Sequence, residues 1–340
     1  MLHFRNLTHH KIFWPLASLA VLLAFNLFFT PNFFSIEIKQ GHLYGNVIDI
    51  IKNAAPIMIL AIGLTLVIAT KGIDISVGSV VAISAGFVAM MLGGALDGAP
   101  AVPYTVAIIA TLLISSIAGM WNGMLVSWIG MQPIIATLIL LVAGRGIAMV
   151  TTNAQIIWLY TRPFAILGQG YFLGLPVSIY IVAGLLAATI VVTRKTALGL
   201  FIESVGINPV AARFAGIGAK KIIFAVYTFC GFTAGIAGII VCSTVMSADG
   251  NNAGQGYEMN AILAVVLGGT SLNGGKFYLV GSIVGSLIVQ TLTTTIYAFG
   301  VPPELAQLVI ALVVLAASLM QSPKFRSMVF SFFGQREMAV

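Results

Sequence analysis

The stretch AAPIMILAIGLTLVIATKGIDISVGS, residues 54–79, decides how this chain is read. Residues 54–70 are an apolar run long enough to cross a hydrocarbon core of about 30 Å, which takes about 20 helical residues. A second apolar run, 76–94, follows almost at once. The junction Gly72-Ile73-Asp74-Ile75-Ser76-Val77-Gly78-Ser79 brings a carboxylate, hydroxyls and glycines between them. Non-helical backbone at membrane depth must face protein or water, and an acid there marks a functional position. The competing reading is a surface turn in which Lys71 pairs with Asp74.

The rest of the composition agrees with a membrane protein. The chain has 340 residues, 59% hydrophobic and 7% charged, with mean hydropathy +1.07. Soluble domains carry about 25% charged residues, so a water-soluble fold is excluded. Disorder is excluded by the apolar content, and the 36 glycines have no three-residue period. A net charge of +7 raises nucleic acid as a partner, but the placement of the charge argues for a membrane orientation signal and no nucleic-acid partner.

Ten apolar runs are candidate spans: 12–29, 54–70, 76–94, 104–128, 132–150, 175–193, 222–244, 259–268, 278–298 and 304–321. The run 259–268 is too short to cross alone and calls for a broken helix or neighbouring residues. The first run exceeds a signal-peptide core and lacks a small-residue cleavage site, so it is read as retained. With the N-terminus inside, twelve Lys and Arg fall on that side against Lys39, Lys52 and Arg162 outside. The expectation is an all-α polytopic bundle of about ten transmembrane helices with both termini cytoplasmic. Residues 1–11 form a cytoplasmic N-terminus, 12–321 the transmembrane domain, and 322–340 a cytoplasmic tail.

One sizeable cytoplasmic loop, 194–221, separates six spans from four. It holds five basic residues and one acid, Glu203. Asn208 followed by Pro209 is a helix start, because an Asn side chain accepts an orphan amide and Pro suits the first turn. Gly216 is a natural stop. The short helix so defined sets Val210 and Phe214 on one face, four residues apart. A preceding segment, 198–205, is expected to end at Gly206. A loop built this way displays small and apolar residues, which suits a protein groove better than lipid phosphates.

Other polar positions are fewer. Asn122 sits between Gly119 and Gly123, a spacing that allows close helix approach, and so makes an interhelical hydrogen bond or lines a pathway. Gly231 with Gly235, and Gly281 with Gly285, repeat that spacing and read as packing. Gln132, Thr137 and Arg145 share one span, where Arg145 binds a polar substrate or, near the outer end, has a structural role in reaching interfacial water or a backbone carbonyl. Asp249, Asn251 and Asn252, with Glu258 and Asn260 beyond them, make a polar outer loop that is either a docking surface and gate or an ordinary turn. The glycine-rich stretch 268–276 lacks the spacing of a phosphate loop. No metal-ligand cluster and no Ser/His/Asp arrangement on one face is evident. Cys230 and Cys242 lie about 18 Å apart along one helix, beyond disulfide reach.

Several of these motifs together resemble the permease subunits of bacterial ATP-driven sugar importers of the ribose, xylose and arabinose class. They are Leu64–Thr70 with Gly72–Gly78, Gln132–Leu138, Thr196–Gly199 through Val205–Asn208, and Gly268–Leu272. Within that class, Thr193–Glu203 and Ala248–Gly254 are most similar to a permease of the galactofuranose importer. Lys71 departs from the glycine expected there. Val210 stands where the wider importer coupling motif carries Glu, whereas Ala211, Ala212 and Gly216 keep its spacing.

The resemblance implies a permease of the inner membrane working by alternating access, with no catalytic residue and no cofactor on this chain. Its partners would be a second, similar but distinct permease chain, a cytoplasmic ATPase carrying ATP and Mg, and a periplasmic sugar-binding protein. The pathway would draw on Asp74, Ser76, Asn122, Gln132, Thr137, Glu258 and Asn260. Coupling to the ATPase would use Glu203, Gly206, Asn208, Pro209, Ala211, Ala212, Phe214 and Gly216, and the binding protein would dock on Asp249, Asn251 and Asn252. The alternatives are an ion-coupled sugar transporter, for which Asp74 is the strong candidate ligand, and a membrane enzyme acting on lipid-linked sugars.

Overall fold

The computed structural model describes residues 13–39, 41–93, 102–302, 305, 308–312 and 315. The expected span 304–321 lies largely outside them, as do the expected terminal segments 1–11 and 322–340. The described chain is mostly helical. Six helices are long and apolar enough to cross a membrane: α2 (Asn46–Ala69), α4 (Tyr104–Met124, continued by a π-helical turn Leu125–Ile129), α5 (Pro133–Thr151), α7 (Val177–Lys195), α10 (Ala219–Val245) and α12 (Leu279–Ala298). Three shorter apolar helices, α1 (Phe13–Phe29), α3 (Val77–Leu92) and α11 (Tyr257–Leu267), occupy the expected runs at 12–29, 76–94 and 259–268.

The layering follows from where side chains are apolar all round. Helix α2 is buried from Ala54 to Ala69 on every face, the signature of a central helix. It packs against α10, α11, α12 and α7, while α4, α5 and α7 keep most of their surface on the outside of the bundle. Close approach depends on missing side chains. A Cβ at Gly63 would overlap the Thr233 hydroxyl of α10, and Gly119 and Gly123 on α4 meet the backbone of α10 near Tyr227 and Phe224. Gly231 and Gly235 complete that seam against Ser115, and Gly281 and Gly285 do the same against α11. The packing role expected of these glycines is therefore realised.

Polar side chains join helices in the interior. Asn26 of α1 donates to Thr295 of α12 at 2.8 Å, and the Thr65 and Ser282 hydroxyls of α2 and α12 are 2.7 Å apart. Each such bond inside a membrane bundle contributes about 0.6 kcal/mol. Cys230 and Cys242 are buried free thiols.

Segments at one end of the bundle are folded by short pairings. Strand β1 (Glu37–Lys39) pairs with β2 (His42–Tyr44), and β4 (Tyr171–Phe172) with β5 (Leu175–Pro176), with Leu43 donating to Gly174. Strand β3 (Ile157–Trp158) pairs with β6 (Ser247–Ala248), and α6 (Arg162–Gln169) packs on α10. The opposite end carries α8 (Leu198–Ile207) and α9 (Pro209–Phe214).

Here the structure corrects one expectation. Gly206 does not stop α8, which runs to Ile207. A side chain at Gly206 would overlap the Ala69 carbonyl, so this glycine serves contact with α2. The Asn208 cap is as expected: its Oδ1 accepts the Val210 and Ala211 amides at 3.0 and 3.1 Å. Gly216 ends the helix with φ +83°, a conformation that costs a residue with a side chain about 1–2 kcal/mol. Val210, Ala211 and Phe214 are exposed on α9, whereas Ala212 turns inward and is buried, so it is not displayed.

Candidate functional site

Helix α2 cannot continue past Ala69. The Thr70 hydroxyl caps onto the Val67 carbonyl at 2.8 Å, Lys71 takes φ +63°, and the Gly72 amide returns to Val67. Any side chain at Gly72 would meet the Tyr227 hydroxyl. The chain then runs extended to Ser76, where α3 begins.

Asp74 is 2% exposed and organises this break. Its Oδ1 accepts the Ser76 amide at 2.9 Å and the Ser76 hydroxyl at 2.6 Å. The Ser76 oxygen in turn accepts the Asn122 amide of α4 at 2.8 Å, and that amide lies 3.4 Å from Asp74 Oδ1. Three residues beyond Asn122, α4 widens into its π-helical turn, a distortion often found at functional positions. Thr137 of α5 is buried within 3.4 Å of the Ile73 carbonyl and the Ile75 amide. The surface pairing of Asp74 with Lys71 does not occur, because the Lys71 ammonium donates to the Ile207 carbonyl at 3.0 Å.

A second segment reaches the same place from the other end of the bundle. Asp249 Oδ1 accepts the Asn251 amide at 2.9 Å, and its Oδ2 accepts the Asn252 side-chain amide at 2.6 Å. These bonds to the charged form hold the Asp249 carboxyl below the usual range, the Asn251 amide contributing most. Arg145 Nη1 donates to the Ala253 carbonyl at 2.5 Å and to the Asn251 carbonyl at 3.2 Å. Of the two roles read for Arg145, the structure shows the carbonyl-binding one.

Gly254, at φ +65°, lies against the Gly78 carbonyl and Val81 with no room for a side chain. Gly256 then opens α11, and the Glu258 carboxylate in its first turn occupies the space a Gly78 side chain would need. Thus the N-termini of the two short helices α3 and α11 meet. At 1.5 Å rise per residue, Glu258 lies about 15 Å from the Gly268–Gly281 contact at the start of α12, roughly half the bilayer core. The pairing therefore sits deep inside the bundle.

Asp74, Ser76, Asn122 and Thr137 come together, with Glu258 one helical turn away across Gly78. Gln132 is exposed at the start of α5, and Asn260 is half-buried on α11; among the described residues no hydrogen bond joins either to this group. Asn122 Oδ1, the Tyr227 hydroxyl and Glu258 Oε2 are buried and make no hydrogen bond within the described residues. Two participants were not singled out from the sequence. Tyr227 lies against Gly72, and the Cys230 thiol lies beside Asp74. The signal for Tyr227 was its place four residues before Gly231, on the face of α10 that the small-residue spacing marks as a packing face.

The end that carries α8 is tied to the same break. The Gly275 amide donates to the Ala69 carbonyl at 2.8 Å, and Gly206 and Gly274 close on the same carbonyl. The end of α2, the end of α8 and the loop between α11 and α12 thus share one contact.

The family described as branched-chain amino acid transport system / permease component matches residues 46–318. The galactofuranose transporter permease protein YtfT of Escherichia coli is 44% identical over 321 residues, covering 93% of this chain and 92% of its own. The fructose import permease protein FruF of Bifidobacterium longum is 37% identical, covering 95% and 91%. The ribose import permease protein RbsC of Escherichia coli is 36% identical, covering 91% and 93%. No solved structure matches the chain.

Proposed function

The chain belongs to the branched-chain amino acid transport system / permease component family, and we propose from this that it carries a monosaccharide, galactofuranose, across the inner membrane of a bacterium. It is a permease subunit of an ATP-binding-cassette sugar importer, a transport subunit and not an enzyme. The 44% identity to a galactofuranose permease, against 37% and 36% to fructose and ribose permeases, favours the first sugar. Among its partners we place a cytoplasmic ATPase that holds ATP and Mg, a periplasmic sugar-binding protein, and a second, similar but distinct permease chain.

One observation carries the mechanism: the N-termini of α3 and α11 meet at Gly78 and Glu258. Short helices in corresponding halves of a transporter, ending at mid-depth, frame substrate sites and move when access alternates. With both termini cytoplasmic, the loop 71–76 approaches from inside and 249–256 from outside, which supports an inverted repeat of spans two to five and seven to ten. Asp74, Ser76, Asn122, Thr137 and Glu258 would then offer passing hydrogen bonds to sugar hydroxyls, with Gln132 and Asn260 at the margins. Weak contacts suit a conduit, since a tight site would slow release.

At the inner end, Glu203, Gly206, Asn208, Pro209, Ala211, Phe214 and Gly216 would form the surface the ATPase pushes, Ala212 packing beneath it. Asp249, Asn251 and Asn252 would receive the binding protein. ATP closure shifts the population between outward and inward forms through the Gly206–Ala69–Gly275 contact. Vesicles holding both permeases, the ATPase and the binding protein test this. Uptake of the furanose should require ATP and all components; accumulation by this chain alone on an ion gradient overturns it.

A further inference from the structure

We propose that the groove between α7, α8 and α10 holds an acyl chain of an anionic phospholipid, with the lipid phosphate against Lys195 and Lys221. The cavity has a volume of about 360 Å³ and its walls include Leu66, Leu185, Val192, Ile202, Val226 and Phe229. Its only polar side chains are Thr189 and Thr193. Both hydroxyls are spent on their own helix, Thr189 donating to Leu185 at 2.8 Å and Thr193 to Thr189 at 2.7 Å. They turn nothing but methyl groups to the groove. An occupant finds no hydrogen-bond partner inside, which excludes a sugar or a nucleotide and selects hydrocarbon.

The charge at the mouth names the kind of hydrocarbon. Helix α7 passes from Thr193, which lines the groove, directly into Arg194 and Lys195. On α10, Lys221 stands four residues before Ala225, which lines the groove, and so ends the same helical face. Arg194 is committed to the face of Phe277, 5.5 Å from the ring centre. Lys195 and Lys221 are exposed, and no hydrogen bond or ion pair occupies them among the described residues. Gly218 gives α10 no side-chain cap, so the positive end of a 27-residue helix adds to the same field. Lys195, three residues after Val192, and Lys221 are two unpaired cations at the end of an apolar slot, which matches a phosphate joined to an acyl chain.

The site bears on coupling, because Leu198 and Ile202 of α8 form one wall and α8 ends on the Ala69 contact. This inference needs only that the chain crosses a membrane, not the choice of sugar. The assembled transporter, in lipid nanodiscs of phosphatidylethanolamine with or without phosphatidylglycerol, is released into native mass spectrometry and melted in parallel.

Wild type should retain phosphatidylglycerol and melt at higher temperature with it than with phosphatidylethanolamine. Lys195→Gln with Lys221→Gln should weaken its retention by roughly tenfold or more. Ala225→Phe, at an exposed wall position, should abolish retention with the charges intact; Ala188→Leu serves on the opposite wall if that variant is poorly folded. Retention equal to wild type in the charge variant or in the groove variants overturns the proposal. So does an equal shift in melting with inorganic phosphate alone, or a disulfide from Val192→Cys to the second permease chain, which would put protein in the groove.

Discussion

Asn122 and Ser76 are joined by a 2.8 Å hydrogen bond in which the α4 amide donates to the hydroxyl, and that hydroxyl donates onward to Asp74 at 2.6 Å. The chain of donors runs one way, so each member depends on the next. It ties the start of α3 to a helix of the outer layer.

Asn122→Ala should lower the unfolding free energy of the transporter by about 0.6 kcal/mol, the scale of one interhelical bond in a membrane bundle. Asn122→Asp should cost more, since it sets a second carboxylate against Asp74. Thermal unfolding in detergent with a fluorescent thiol probe separates the two.

Asp74→Asn keeps an acceptor oxygen for Ser76, so α3 should still start at Val77 and membrane levels should stay normal. On the proposed reading of Asp74 as a pathway residue, uptake should nonetheless drop, because an amide nitrogen replaces one carboxyl oxygen. Asp74→Leu removes the acceptor and should lose folding as well. Expression, melting and sugar uptake measured together distinguish these outcomes.

Gly78→Ala forces a Cβ into the Glu258 carboxylate and the Gly254 carbonyl. Uptake should fall steeply. Adding Glu258→Ala relieves the side-chain overlap but not the backbone one, so the double variant should recover stability only in part. Melting of the single and double variants shows whether the two residues are coupled.

Gly206→Ala pushes a methyl group into the Ala69 carbonyl and the Gly275 amide, at a cost of about 1–3 kcal/mol. Gly216→Ala meets open space and costs only its backbone conformation. Sugar moved per ATP should therefore fall for the first variant and hold for the second, while both copurify with the ATPase.

The Asp249 carboxyl is held low by the Asn251 amide, so its contribution is present above the ordinary carboxylate range and is lost as pH falls through the lowered value. The protection of the Asn251 amide proton, relative to its intrinsic exchange rate at each pH, should fall in that acidic window. Asp249→Asn should flatten the dependence.

Much of this was legible in one dimension. Apolar length located six helices long enough to cross among the described residues, and the shorter α1, α3 and α11 fall in the runs read at 12–29, 76–94 and 259–268. The Asn208 cap and the Gly216 stop were readable because capping chemistry involves residues two or three apart. Gly206 misled, since a glycine after an apolar helical run reads as a terminator when its partner, the Ala69 carbonyl, is 137 residues away in the chain. Ala212 was read as displayed for the same reason: spacing sets a face, but only packing says which face is covered. Tyr227 and Cys230 escaped because aromatic and thiol side chains in an apolar run are indistinguishable from core.

The amino-acid order alone settled that this is a membrane-crossing helical chain interrupted at Asp74, because hydrocarbon tolerates neither unpaired backbone nor scattered charge and so leaves few readings. Only the folded chain brought Gly78 against Glu258 and Gly206 against Ala69. Those pairings depend on which helices approach closely, and that is decided by side-chain volume across distant segments rather than by any local pattern.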